Sequence, residues 1–219
     1  MKKLFLLLFS VFSMMSFANV NYNVFLKMDN KAEMAVSEIS KELKKVGIDS
    51  LYSEGYIVHL TAYLTEYKPE ELPKLKKVVN EMASKTKPFE LEFFGIHKTA
   101  GNWLMLDNKN TRELQDLVDE ITVKLNRYRA LDAEVPGWAK SIPEKVKSFK
   151  AYGSPNVFMN FDPHITLLTP KDPEKIAQFM ENYKLKPFTT KVIGIGIAEV
   201  DSLGQAQGKK VLYEVNFKK

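Results

Sequence analysis

Two hydrophobic periods take turns along the chain. Residues 21–28 (NYNVFLKM) form a short, apolar-rich run that predicts a strand. Asp29 or Asn30 then offers a cap to a helix carrying Met34, Ala35, Ile39, Leu43 and Val46 on one face, and Gly47 ends it. Residues 56–64 (YIVHLTAYL) return to the two-residue period of a strand. A second helix opens near Pro69, where the missing N–H costs nothing, with Leu72, Leu75, Val78, Val79 and Met82 as its apolar stripe.

Residues 89–97 and 102–107 predict two strands joined around Gly101. Asn110 and Glu113 make a capping-box-like start for the best-marked helix, whose apolar positions are Leu114, Leu117, Val118, Ile121 and Leu125. From 133 to 155 the chain holds Pro136, Gly137, Pro143, Gly153 and Pro155, which predicts a connecting segment with at most a short helix. The order then recurs: a strand at 164–169 (HITLLT), a helix opened by Asp172 and Pro173 and running to about Tyr183, then strands near 188–200 and 211–217. This succession predicts an α+β fold over residues 19–219. It consists of two pseudo-symmetric lobes, each a mainly antiparallel sheet with helices on the outside, and a cleft between them.

Composition alters this picture at the N-terminus. Met1-Lys2-Lys3, an apolar run from Leu4 to Phe12 and then Ser16-Phe17-Ala18 match the three parts of a secretory signal, which predicts that residues 1–18 are removed and the protein is exported to the periplasm or beyond. The run is shorter than the ~20 residues that span a bilayer, so no membrane association is expected once it is gone. The chain has no cysteine, which excludes disulfides, thiolate metal sites and a cysteine nucleophile. Removing Lys2 and Lys3 leaves 30 of the 32 basic residues against 27 acidic ones, a mild excess of three. With arginine only at 112, 127 and 129, the balance suits a small anionic ligand and argues against duplex DNA, which calls for a concentrated basic stripe.

The candidate chemistry rests on histidine. Two of the three histidines head the same pattern in a predicted strand that precedes a helix, His59-Leu60-Thr61 and His164-Ile165-Thr166. Strand alternation puts His59, Thr61 and Tyr63 on one face, with Val58, Leu60, Ala62 and Leu64 on the other. His164 and Thr166 likewise share a face. A neutral imidazole can take a proton from water while a protonated one gives a proton to a leaving oxygen, and the threonine hydroxyls can donate to phosphate oxygens. The third histidine also reads His-x-Thr (His97-Lys98-Thr99), but it lies at a strand end before the Gly101 turn and is read as a surface or loop residue.

The segments HLTAYL (59–64) and PHITLL (163–168) resemble the paired motifs of the two-histidine (2H) phosphoesterases, which include bacterial RNA 2',3'-cyclic phosphodiesterases and 2'-5' RNA ligase-like proteins. The resemblance extends in element order over nearly all of residues 20–217. It implies catalytic roles for His59, Thr61, His164 and Thr166 in a phosphoric diester hydrolase acting on a cyclic phosphate or on a 2'-5' or 3'-5' linkage of a nucleotide or RNA end.

No cofactor is expected, because remote histidines with threonine neighbours lack the carboxylates or thiolates of a metal site. Tyr63, Phe161 and Trp103 are the aromatic candidates for stacking on a base, with Trp138 and Tyr152 behind them. Gly194-Ile195-Gly196 lacks the third glycine and following helix of a nucleotide loop and reads as strand. The competing reading is an exported protein that binds a nucleotide or phosphate ligand on the same scaffold without turnover. Oligomeric state is not legible.

Overall fold

The structure, a computed structural model, describes residues 18–218; the expected leader therefore lies, apart from Ala18, outside the described residues. Strand β1 (Val20–Met28) leads into helix α1 (Asn30–Lys45), where the Asp29 carboxylate accepts the Lys31 N–H as N-cap. The buried stripe of α1 is Ala32, Val36, Ile39 and Leu43; Met34 lies on the opposite side and is exposed, contrary to the sequence reading. Strand β2 (Leu60–Tyr67) is followed by a 3-10 turn at Pro69–Glu71 and helix α2 (Leu72–Lys85). Strands β3 (Phe89–Lys98) and β4 (Leu104–Asn108) form the hairpin around Gly101.

Helix α3 (Arg112–Leu125) is capped by Thr111, whose hydroxyl accepts from Leu114 N–H, and not by Asn110, whose amide donates instead to Gln115. The connecting segment holds a short helix, α4 (Pro143–Tyr152). Pro143 starts it and Gly153, at φ 69°, ends it in the left-handed region. Strand β5 (His164–Leu168), helix α5 (Pro173–Asn182) capped by Asp172, and strands β6 (Phe188–Glu199) and β7 (Val211–Asn216) complete the order.

All strand pairs are antiparallel, in the order β2-β1-β6-β3-β4-β5 with β7 also on β6. The two halves share this sheet because β6 is long enough to serve both. Residues 188–192 pair with β3, while 192–199 pair with β1 along one edge and 194–198 with β7 along the other. On one face of the sheet Val24, Leu26, Leu60, Leu106, Ile165, Ile195 and Ile197 join the apolar stripes of α1, α2, α3 and α5 in one continuous core. Among the described residues no helix is long and apolar enough to cross a membrane.

The other face carries Asn23, Phe25 and Thr61 in the first half and Met105, Asp107, His164 and Thr166 in the second, as the paired register requires. Strands β2 and β5 end the strand order yet approach one another. The two polar stretches are thereby turned toward a common space.

Candidate active site

His59 stands one residue before β2, because residues 56 and 57 are held elsewhere: Tyr56 bridges Gln207, and Ile57 N–H donates to the Ala206 carbonyl. The sequence reading places His59 inside the strand, one residue too far in. Its Nδ1–H donates to the Ile57 carbonyl at 3.0 Å, which fixes the ring and leaves Nε2 as the acceptor of a neutral imidazole. That Nε2 accepts from the Asn23 amide at 3.1 Å, and the same amide donates to Thr61 Oγ1 at 2.9 Å. Thr61 thus spends an acceptor site on Asn23 and keeps its own O–H for another partner. Asn23 is fully buried, and its Oδ1 has no partner among the described residues.

Phe25 presents its ring to His59 in an edge-on arrangement, centroids 5.8 Å apart. Gly196 makes room for that ring, since a Cβ there would fall 2.2 Å from Phe25 Cζ. The glycines of residues 194–196 accordingly serve close packing inside β6, as their strand reading predicts.

His164 repeats the first arrangement. Its Nδ1–H donates to the Asp162 carbonyl at 2.8 Å, again two residues earlier, so its Nε2 is likewise the acceptor nitrogen of a neutral ring. Asp107 is its register partner on β4, and Thr166 follows on the same face opposite Met105. His97 lies near the end of β3 and is exposed, as the sequence suggests. It nevertheless points to the same face, donating from Nδ1 to Asp107 Oδ1 at 2.7 Å.

Burial lowers the pKa of both catalytic candidates. For His59 the Ile57 carbonyl opposes this and the nearby His164 adds to it. For His164 the Asp162 carbonyl and the carboxylates of Asp162 and Asp107 oppose it, while His97 adds to it. In the folded chain the charged form of both imidazoles is therefore disfavoured relative to a free histidine.

The aromatic candidates fare differently. Tyr63 is 1% exposed and does not face the cleft. A β-bulge puts both Thr61 and Tyr63 opposite consecutive β1 residues, Phe25 and Val24, so Ala62 is the extra residue and alternation reverses there. Tyr63 consequently shares the core face with Val24, meets Tyr67 edge-on, and donates its hydroxyl to the Tyr152 carbonyl. Trp103 is half-buried in the turn just before β4, its ring beside Gly101. Phe161 is half-buried against the core just ahead of His164. Tyr152 packs on Phe158, and Trp138 is exposed.

Sequence reasoning missed Asn23, Phe25 and Asp107. Only the strand register shows that Asn23 and Phe25 share the face of Thr61, and that Asp107 stands opposite His164. Among the described residues no three His, Asp or Glu side chains converge as a metal ion requires.

Comparison with known proteins agrees with this fold. No curated protein sequence matches the chain. Among solved structures the fold is similar to that of TT0787 of Thermus thermophilus (TM-score 0.57, 16% identity, 90% of this chain and 97% of that one). It is also similar to E. coli LigT complexed with phosphate (0.55, 12%, 92% and 99%) and with 3'-AMP (0.51, 14%, 92% and 100%). Residues 32–202 match the 2'-5' RNA ligase superfamily. With that match spanning well over half its length, the chain belongs to the 2'-5' RNA ligase superfamily, the two-histidine phosphoesterases.

Proposed function

We propose that this protein is a metal-independent phosphodiesterase that hydrolyses a cyclic phosphate, or a 2'-5' or 3'-5' diester, of a nucleotide or RNA end. The observation that carries the reading is the duplicated arrangement itself: two imidazoles, each pinned by Nδ1–H to the carbonyl two residues earlier and each heading a His-x-Thr pair, on strands that approach one another. One imidazole takes the proton of the attacking water and the other protonates the leaving oxygen. The hydroxyls of Thr61 and Thr166 donate to the non-bridging oxygens, where negative charge grows as the attacking bond forms. The anionic phosphate itself contributes, since its charge raises the pKa of whichever imidazole must enter the reaction protonated.

A nucleotide substrate is favoured by the shared fold with LigT, which has been crystallised with phosphate and with 3'-AMP. Trp103 and Phe161 are the aromatic side chains available for the base; Tyr63 is withdrawn from that role by its burial. The leader-like residues 1–18 support export, tested by the N-terminal mass of protein recovered from the periplasm. The catalytic reading is tested with 2',3'-cyclic nucleotides and 2'-5' oligoadenylate in EDTA, beside His59→Ala and His164→Ala. Turnover lost in both variants supports it. Ligand binding without turnover by the wild type would make the protein a binding module on this scaffold.

A further inference from the structure

The two arms have the same hydrogen bond to the backbone but different surroundings. His59 meets neutral groups: the Asn23 amide on Nε2, which also donates to Thr61, and the ring of Phe25. His164 stands among charges. Asp107 is its direct cross-strand partner on β4, which puts the two Cβ atoms about 5 Å apart. His97 on β3 holds Asp107 by its Oδ1, and the lack of a side chain at Gly95 leaves open space over Asp107 Oδ2, 3.6 Å from where a Cβ would stand. Asp162, from the loop before β5, contributes a second carboxylate. Asp162 in turn acts on Lys145 of α4, whose ammonium donates to Asn156 Oδ1 and the Asn160 carbonyl. From the facing arm His59 is coupled to His164.

We propose that the His97–Asp107 pair on the β3–β4 hairpin is a positioning unit for His164. It makes the two histidines unequal, with His164 donating the proton to the leaving oxygen and His59 taking the proton of the attacking water. The Asp107 carboxylate favours an imidazolium at His164, and among the described residues no carboxylate acts on His59. His97 orients that carboxylate through one oxygen and, when it carries a charge, moderates it. The proposal builds on the two-histidine reading above.

In the hydrolysis the water oxygen bonds to phosphorus as its proton passes to His59 Nε2. The phosphorus–oxygen bond to the leaving group breaks as that oxygen takes the proton from His164 Nε2. His59 then returns a proton to solvent and His164 regains one, so atoms and charge balance over the cycle. For His59 to act as base, Asn23 must yield Nε2 to the incoming water while it keeps its bond to Thr61.

The inequality is read without turnover, by imidazole NMR titration of the full chain, which has only three histidines to assign. His164 is expected to keep its proton to higher pH than His59. Asp107→Asn should move the His164 midpoint to lower pH and His97→Gln should move it to higher pH, while Asp107→Glu restores the wild-type order. On a substrate that is turned over, Asp107→Asn should lower the rate near pH 8 relative to that near pH 6 by about three-fold or more. His59 titrating above His164, or a His164 midpoint indifferent to both substitutions, overturns the proposal. Absence of turnover with the expected titration order would count against the phosphodiesterase reading and leave the coupling of Asp107 to His164 established.

Discussion

His59 and His164 make the same hydrogen bond, each donating Nδ1–H to the carbonyl of the residue two positions earlier, at 3.0 and 2.8 Å. That bond decides the tautomer before any substrate arrives. It leaves Nε2 as the acceptor nitrogen of a neutral ring in both arms, and under the proposed function a phosphodiester seated between them meets two acceptors, one of which must be charged before it can donate.

Removing either ring should therefore remove catalysis. His59→Ala and His164→Ala should each lower kcat by about 10²-fold or more, the lower range for general acid-base groups. The double variant should fall little further, because the two rings act as a unit. Steady-state rates in EDTA check both statements.

Asn23 sets the basicity of His59. Its amide donates to Nε2 and so favours the neutral ring. Asn23→Asp, nearly isosteric, replaces that donor by a carboxylate and should move the low-pH limb of the kcat/KM profile to higher pH. A profile unmoved by the substitution would deny Asn23 this influence.

Stability should depend on pH in a direction fixed by the same rings. Both histidines have pKa values lowered by burial, so below the ordinary histidine value of about 6.5 the unfolded chain binds more protons than the folded one. The folded state is then least favoured at acid pH: stability falls as pH drops from about 6.5 through the folded values and is level above that point. In urea unfolding, His59→Gln should flatten this part of the curve, since glutamine does not titrate.

The fold was largely legible because it rests on periodicity. Of the apolar positions foreseen for α2 and α3 all but the half-buried Leu72 are buried, and the strand–helix order recurs as read. What was not legible depended on register. The bulge at Ala62 reverses alternation within HLTAYL, so Tyr63, which looks like a cleft residue on a simple two-residue count, belongs to the core. Asn23 and Asp107 carry no motif of their own. They enter the site only because β1 lies beside β2 and β4 beside β5, pairings between segments distant in sequence. Met34 is misplaced by its pattern alone because a helical stripe can be drawn on either side of Ile39 when an exposed methionine is counted as apolar.

Tyr63 links the two motifs structurally. Its hydroxyl reaches the Tyr152 carbonyl, and Thr65, next on the same face, donates to the Gly153 carbonyl at 2.6 Å. β2 thus anchors the end of α4, from which the chain runs on to His164. Tyr63→Phe should cost roughly 1–3 kcal/mol of stability, the penalty for leaving a buried carbonyl without its donor. Activity should fall less than in the histidine variants, as measured by urea unfolding and turnover on the same samples.

Gly196 should tolerate no side chain. The Cβ of Gly196→Ala would collide with Phe25, which must shift away from its edge-on contact with His59. A loss of about 1–3 kcal/mol, typical of overpacking, should accompany a drop in activity. Phe25→Leu in the same background should recover part of the stability by giving the methyl group space.

The central claim is tested most directly by following hydrolysis of 2',3'-cyclic nucleotides and 2'-5' oligoadenylate by the mature protein in EDTA, beside the His59→Ala/His164→Ala double variant. The account predicts turnover by the wild type that survives chelation and disappears in the double variant. Turnover that persists in the double variant, or that EDTA abolishes, would contradict it.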